Sequence, residues 1–123
     1  MFMGPSVDSV IRMAYLRKEN ETVEIRYSLE KVWTAVPKAL ASLEWSLEEV
    51  DETAHHVKAK TKSAFMSLSS TLLIDVIPVS ENTARVSIVA ETPVTTITSI
   101  VDFAQGRRRI ALFFLELAKH LTN

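Results

Sequence analysis

One stretch near the C-terminus, residues 102–121, constrains the fold more than any other part of the sequence. Its apolar residues recur at helical spacing and fall within one arc at about 100° per residue: Phe103, Ile110, Phe113, Phe114, Leu117 and Leu121. Gly106 lies in the same arc, where a missing side chain would let the backbone approach a neighbour, at a cost of about 1 kcal/mol in helix propensity. The stretch is therefore predicted to be a core helix, and a capping box of Ser99 and Asp102 starts it near residue 100.

Length and composition exclude several classes of protein. The chain has 123 residues, 47% of them hydrophobic and 24% charged, which is typical of a single soluble domain. A net charge of −1 gives no global attraction to nucleic acids or anionic membranes. Because there is no cysteine, disulfides and thiol catalysis are excluded, and two glycines are too few for a phosphate-binding loop. No signal peptide and no membrane span are apparent, so we expect a cytoplasmic protein. No cofactor is predicted.

The rest of the chain alternates between helical and strand patterns. Residues 22–28, for example, place Val23, Ile25 and Tyr27 on one face, and Ser28 then suits a helix N-cap. The predicted elements are a helix over 8–17, a strand over 22–28, a helix over 29–42, strands over 45–50, 56–62, 71–79 and 84–91, and the last helix. A hairpin through residues 17–21 is the alternative to the first helix.

This order predicts an α+β fold in two layers, with an antiparallel sheet of about five strands and two main helices on one face. The whole chain, residues 1–123, is predicted to be one domain. It would consist of an N-terminal helical extension, residues 1–21, and a β-α-β4-α core, residues 22–121.

The core resembles a group of known small domains. The resemblance is carried by the strand end Tyr27-Ser28 with the helix start 29–35, and by the segments 48–51, 83–89 and 102–107. In this pattern the chain is similar to the β-α-β4-α domains of uncharacterised bacterial proteins and envelope lipoproteins, including the repeats of a barrel-assembly lipoprotein. It also loosely resembles helix-grip ligand carriers, in which a curved sheet wraps a C-terminal helix. The resemblance implies a mostly non-catalytic domain; without a leader or an acylated cysteine, it does not imply an envelope location.

Titratable residues form no predicted catalytic or metal site. His55 and His56 follow Asp51 and Glu52, but neighbouring residues on a strand point to opposite faces, so the two imidazoles cannot bind one ion. Asp75 lies inside the most apolar strand and is expected to face solvent or to pair with Arg85 or Lys60. No catalytic, cofactor-binding or metal-binding residue is therefore predicted.

Two basic clusters in the sequence are candidate nucleic-acid sites. Lys58, Lys60 and Lys62 share one face of a predicted strand, but no aromatic residue is interleaved with them for base stacking. The run 107–109 contains three arginines that fan through about 200° of a helix, and Arg109 is expected to reach Asp102 or Glu116. Nucleic-acid binding is the least favoured of three hypotheses.

Excess apolar surface gives the leading hypothesis, a non-enzymatic binding domain that forms a homo-oligomer. Two surfaces need a cover, the outer side of the last helix and the second face of the strand over 71–79. The first could be covered by the N-terminal segment. The loop residues Phe65, Met66 and Leu68 could either pack under the core or join the interface. The candidate interface residues are Leu73, Ile77, Val89, Leu112 and Leu115.

The alternative hypothesis is a carrier of a small apolar ligand. It requires a cavity between the sheet and the last helix, whereas a core packed at normal density would leave no room for a ligand. The candidate lining residues are Trp33, Phe103, Phe113, Phe114 and Leu117.

Overall fold

The computed structural model of the chain describes residues 16–63, 68–93 and 105–122. These residues form five strands and two helices. In chain order they are β1 (Leu16–Ile25), α1 (Leu29–Ser42), β2 (Ser46–Asp51), β3 (His56–Lys60), β4 (Thr71–Ser80), β5 (Thr83–Pro93) and α2 (Gln105–Thr122). The predicted α+β class with a five-stranded antiparallel sheet is confirmed.

The strands form one sheet in the order β1-β5-β4-β3-β2, and every pair is antiparallel. Consecutive strands from β2 to β5 are neighbours, as hairpin connections allow. β1 instead pairs with β5 along its whole length, from Leu16 opposite Pro93 to Ile25 opposite Ala84. The two edges of the sheet are therefore β1 and β2.

Alternation along the strands creates the core. Every second side chain is buried on β5 and on β4 as far as Val76, and those side chains meet α1 and α2 in a second layer. The buried apolar residues are Val57, Ala59, Leu72, Ile74, Val76, Ala84, Val86, Ile88 and Ala90 on the sheet, Val32, Ala35, Val36, Ala39 and Leu40 on α1, and Ile110, Phe113, Leu117 and Leu121 on α2, together with Trp45. Full burial of the Phe113 ring makes it a residue whose truncation to alanine would cost about 3–5 kcal/mol.

The ends of α1 follow from local side-chain chemistry. The Ser28 hydroxyl accepts a hydrogen bond from the Lys31 backbone amide at 3.2 Å, which confirms the predicted N-cap. Pro37 lies inside the helix, yet α1 continues to Ser42. After the helix, Glu44 takes a left-handed conformation with φ of 61°, and its amide bonds the Ala41 carbonyl at 3.0 Å. This αL turn lets the chain reverse into β2.

β1 is longer than the sequence predicted. The expected helical extension reached residue 21, but Leu16 to Glu21 lie in the strand, and no hairpin breaks it. The polar run is compatible with a strand because its charges find partners: Lys18 Nζ lies 3.6 Å from Glu91 Oε2, and Glu19 pairs with Arg107 at 3.2 Å. The remainder of the predicted extension, residues 1–15, and the predicted cap of α2 at residues 99–102 lie outside the described residues.

Candidate functional site

An apolar groove lies between the edge strand β1 and the helix α2. β1 is the outermost strand on this side, so its inward side chains Val23 and Ile25 are only partly covered. Opposite them, Ala111 and Ala118 are too small to fill the space. The groove has a volume of about 460 Å³ and is lined by Glu21, Val23, Ile25, Tyr27, Ala111, Phe114, Leu117, Ala118, Leu121 and Thr122.

Strand and helix run side by side in the same direction along the groove. Near the start of α2, the backbone at Gly106 approaches β1 so closely that a Cβ there would lie 2.5 Å from Glu19 Cγ. Arg107 reaches the same glutamate. At the far end, Thr122 and Tyr27 both line the groove, and Lys31 Nζ lies 4.8 Å from the centre of the Tyr27 ring. The Glu21 carboxyl group therefore lies toward the N-terminal half of α2.

The predicted cavity residues divide between the groove and other places. Phe114 and Leu117 line the groove. Phe113 does not: it is fully buried in the core, with its ring centre 5.5 Å from that of Phe114. Phe103 lies outside the described residues.

Trp33 also lies away from the groove, beside the turn between β2 and β3. Its indole N–H donates to Glu52 Oε1 at 2.9 Å, and its ring meets the His55 ring edge-on at 5.1 Å. Helical periodicity placed Trp33 correctly on the sheet side of α1 but could not tell which strands it would face. The β1 residues of the groove were not predicted, because only the strand order places them beside α2.

The predicted interface residues also lie in two different settings. Leu112 and Leu115 are 40% and 56% exposed on the outer side of α2. On the outer face of the sheet, Leu73 and Val89 are partly covered and lie directly opposite each other on β4 and β5. Ile77 is 44% exposed but lies opposite Arg85.

The outer sheet face is not the continuous apolar surface that the pattern of β4 predicted. Asp75 separates Leu73 from Ile77, and its Oδ1 accepts a hydrogen bond from His56 Nδ1 at 2.8 Å. Three ion pairs lie on the same face: Lys58 with Glu49, Lys18 with Glu91 and Arg85 with Glu24. Of the two alternatives for Asp75, the solvent-facing position is confirmed, with 46% of its side chain exposed, and the pairing with Arg85 or Lys60 was wrong. His56 lies directly opposite Asp75 in the register, and Arg85 faces Ile77 instead.

Arg109 is buried rather than placed at the side of the helix. Only 6% of it is exposed, and its guanidinium donates to the Leu68 carbonyl oxygen and the Ser70 hydroxyl, each at 2.7 Å. Ser70 is hydrogen-bonded in turn to the Thr92 hydroxyl, and its amide donates to Thr61 Oγ1 at 2.8 Å. The sequence did not predict this buried polar cluster, which consists of Arg109, Ser70, Thr92 and Thr61. Of the two acidic partners expected for Arg109, Glu116 pairs with Lys119, and Asp102 lies outside the described residues.

Two of the three lysines predicted to share one strand face, Lys58, Lys60 and Lys62, pair with acidic residues. Lys58 Nζ lies 3.7 Å from Glu49, and Lys62 Nζ donates to Glu44 Oε1 at 2.5 Å. That hydrogen bond, and second the positive charge of Lys62, hold the pKa of Glu44 below its ordinary value. These lysines therefore offer little free positive charge to a phosphate backbone.

The described residues contain neither a metal-binding cluster nor a membrane-spanning helix. Across residues 16–63, 68–93 and 105–122, no three His, Asp or Glu side chains come together in a way that could hold a metal ion. Neither α1 nor α2 has the length and apolar character needed to cross a membrane.

Comparison by sequence finds no matching family model and no matching curated protein. Comparison by structure finds close matches to several solved folds. Norcoclaurine synthase from Thalictrum flavum superposes with a TM-score of 0.64 at 13% identity, over 87% of this chain and 94% of that one. The Zhui aromatase/cyclase from Streptomyces sp. R1128 gives 0.64 at 7% identity, over 85% and 93%.

A third match is a Thermobifida fusca protein solved by NMR, with a TM-score of 0.61 at 15% identity, over 85% of this chain and 92% of that one. All three share the open antiparallel sheet and helices described above. The chain has a helix-grip-like fold. At these identities the helix-grip likeness concerns architecture alone, and the resemblance to envelope lipoprotein domains stays a prediction.

Proposed function

We propose that this helix-grip-like domain binds a small apolar ligand in the groove between β1 and α2. The observation that carries the proposal is the groove itself: about 460 Å³ lined mostly by apolar side chains, beside the hydrophobic core. This volume falls within the roughly 300–1,000 Å³ of small-molecule sites. The fold adds support, since norcoclaurine synthase has been solved in complex with dopamine and hydroxybenzaldehyde.

Binding is a better fit to the groove than catalysis. General acid–base chemistry needs a positioned pair of titratable groups, whereas the described lining offers Glu21 and Tyr27 on separate parts of the groove wall. The histidines are engaged elsewhere: His56 with Asp75, His120 with the Ser42 hydroxyl at 2.9 Å, and His55 against Trp33. We therefore propose a carrier or sensor rather than an enzyme.

A groove-filling variant tests the proposal. Ala118→Trp places an indole in the groove, and Ala41→Trp, on the exposed side of α1, is the matched control. Native mass spectrometry of the purified protein would look for a co-purifying ligand, and titration with an environment-sensitive apolar dye would measure affinity. We expect Ala118→Trp to weaken dye binding at least about tenfold, equivalent to about 1.4 kcal/mol, and Ala41→Trp to leave it unchanged. Equal binding by all three proteins would refute the proposal.

We also propose that the protein self-associates, now through α2 rather than through the sheet. Leu112 and Leu115 are both well exposed and lie on one helix. Ile77 is exposed to a similar degree, but it lies opposite the charged Arg85. Burying two leucines against a second copy would remove apolar surface from water at roughly 25 cal/mol per Å². The measured mass in solution tests this, with the variants argued below.

A further inference from the structure

The groove carries one charged group in an otherwise apolar wall. Among the described residues that line it, Glu21 alone has a formal charge, and it belongs to the inward-facing series of β1 that also contains Val23 and Ile25. A carboxylate in this position faces whatever occupies the groove. Its charge therefore selects among ligands in a way that the apolar residues cannot.

Neighbouring charges do not neutralise Glu21. Within the described ranges, the ion pairs of β1 use Lys18, Glu19 and Glu24, and none uses Glu21. Glu19, the preceding inward residue, is only 16% exposed in its side chain and already holds Arg107. Glu21 therefore gives the groove a negative charge near one end. At the other end a positive charge lies beside the wall, because Lys31 Nζ is 4.8 Å from the centre of the Tyr27 ring.

We infer that the ligand is a cationic amphiphile, an amine whose ammonium group pairs with Glu21 while its apolar body lies along Val23, Ile25 and Phe114. This inference rests on the proposed ligand-binding function and adds the chemical class of the ligand. The helical wall from Ala111 to Thr122 is roughly 16 Å long at 1.5 Å per residue, which suits a medium-length chain or a small ring system. Glu21 is exposed to solvent, and an anionic ligand would instead bring a second negative charge beside its carboxylate.

Three probes of equal chain length separate charge from apolar contact: decylammonium, decanol and decanoate. Their dissociation constants would be measured by calorimetry below the concentrations at which they form micelles. We expect decylammonium to bind about three- to tenfold more tightly than decanol, and decanoate more weakly than both. Because the groove is open to solvent, raising the salt concentration should reduce the preference.

Two variants assign the preference to Glu21. Glu21→Gln should equalise decylammonium and decanol, and Glu21→Lys should favour decanoate. Glu24→Gln is the matched control, since it removes the same charge from the opposite face of the same strand and should keep the preference for the amine. Circular dichroism and thermal unfolding would show that each variant is folded.

The outcomes distinguish this inference from the function on which it rests. If decanol and decylammonium bind the wild-type protein equally, or if Glu21→Gln keeps the preference, the inference is overturned while the groove remains a binding site. If decanol itself does not bind, or binds Ala118→Trp as well as wild type, the proposed function fails and the inference fails with it.

Discussion

Arg109 is the residue whose environment departs most from what its type predicts. Arginine is rarely buried without partners, and here the guanidinium holds the segment that precedes β4 through Leu68 and Ser70. A helical wheel gives the direction of a side chain around its own axis but not the element it meets. For that reason the sequence predicted acidic partners for Arg109 along its own helix, although its guanidinium is buried against another segment.

We expect Arg109→Met to lower the free energy of unfolding by about 2–4 kcal/mol, because the buried acceptors around it lose a charged donor. Arg108→Met is the control: Arg108 is exposed, so this change should stay within about 0.5 kcal/mol of wild type. Urea unfolding monitored by tryptophan fluorescence would measure both. Equal stability of the two variants would mean that the buried cluster contributes little.

The pair of Glu44 and Lys62 makes a prediction about pH. Because the pKa of Glu44 is lowered in the folded protein, the pair stabilises the fold at pH values above the unfolded pKa of about 4.3, and the contribution is lost as pH falls through the folded pKa. We expect Lys62→Met to raise the pKa of Glu44, measured by NMR titration of its carboxyl carbon. Lys38→Met, which removes an exposed charge from α1, should leave that titration unchanged; an effect of equal size would point to general electrostatics.

At the scale of elements, the contact between α2 and β1 is set by Gly106. An added Cβ would lie 2.5 Å from Glu19 Cγ and 3.3 Å from Glu19 Cβ, so alanine would force the strand side chain to move. We expect Gly106→Ala to lower the free energy of unfolding by about 1 kcal/mol, because overpacking outweighs a gain of about 1 kcal/mol in helix propensity.

A double-mutant cycle measured by urea unfolding isolates that contact. In a Glu19→Ala background the closest clash is gone, and Gly106→Ala should become neutral or stabilising, with a coupling energy of about 1–2 kcal/mol. An Arg107→Ala background, which removes only the ion pair of Glu19, should leave the cost unchanged. If the cost is the same in all three backgrounds, the helix does not depend on this approach.

The elements themselves could largely be predicted from the sequence. Alternation identified β3 and β5, a run of apolar residues identified β4, and helical spacing with a serine cap identified α1, because these patterns are local. The predicted start of β1, residue 22, is too late, because the strand begins at Leu16. Its polar first half is explained only by partners on β5 and α2, which are far away in the chain. Only the helix side of the groove could be predicted, through Phe114 and Leu117. Val23, Ile25 and Glu21 were missed for the same reason, since they become the opposite wall only when β1 lies at the sheet edge.

At the scale of the whole molecule, strand order decides which surfaces remain available. β2 is exposed along its whole length, including Leu47 and Val50 at 45% and 44%. On the outer face of the sheet, charged pairs flank Leu73 and Val89, joining β1 to β5 on one side and β3 to β2 and β4 on the other. Such pairs are worth little individually, but they make the outer face a poor place for a second copy. The exposed apolar side chains of α2 lie beside the groove instead, so binding and assembly would use adjoining surfaces.

Self-association through α2 is therefore the prediction that best tests this arrangement. Multi-angle light scattering at high micromolar concentration should give a mass above that of one chain, because Leu112 and Leu115 would lose their contact with water in the assembly. Leu115→Lys should restore the mass of one chain, since it places a charge at the contact. Leu73→Lys, on the outer sheet face, is the matched control and should leave the assembly intact. If Leu73→Lys dissociates the assembly and Leu115→Lys does not, the copies meet through the sheet, and a single-chain mass for the wild-type protein would remove self-association altogether.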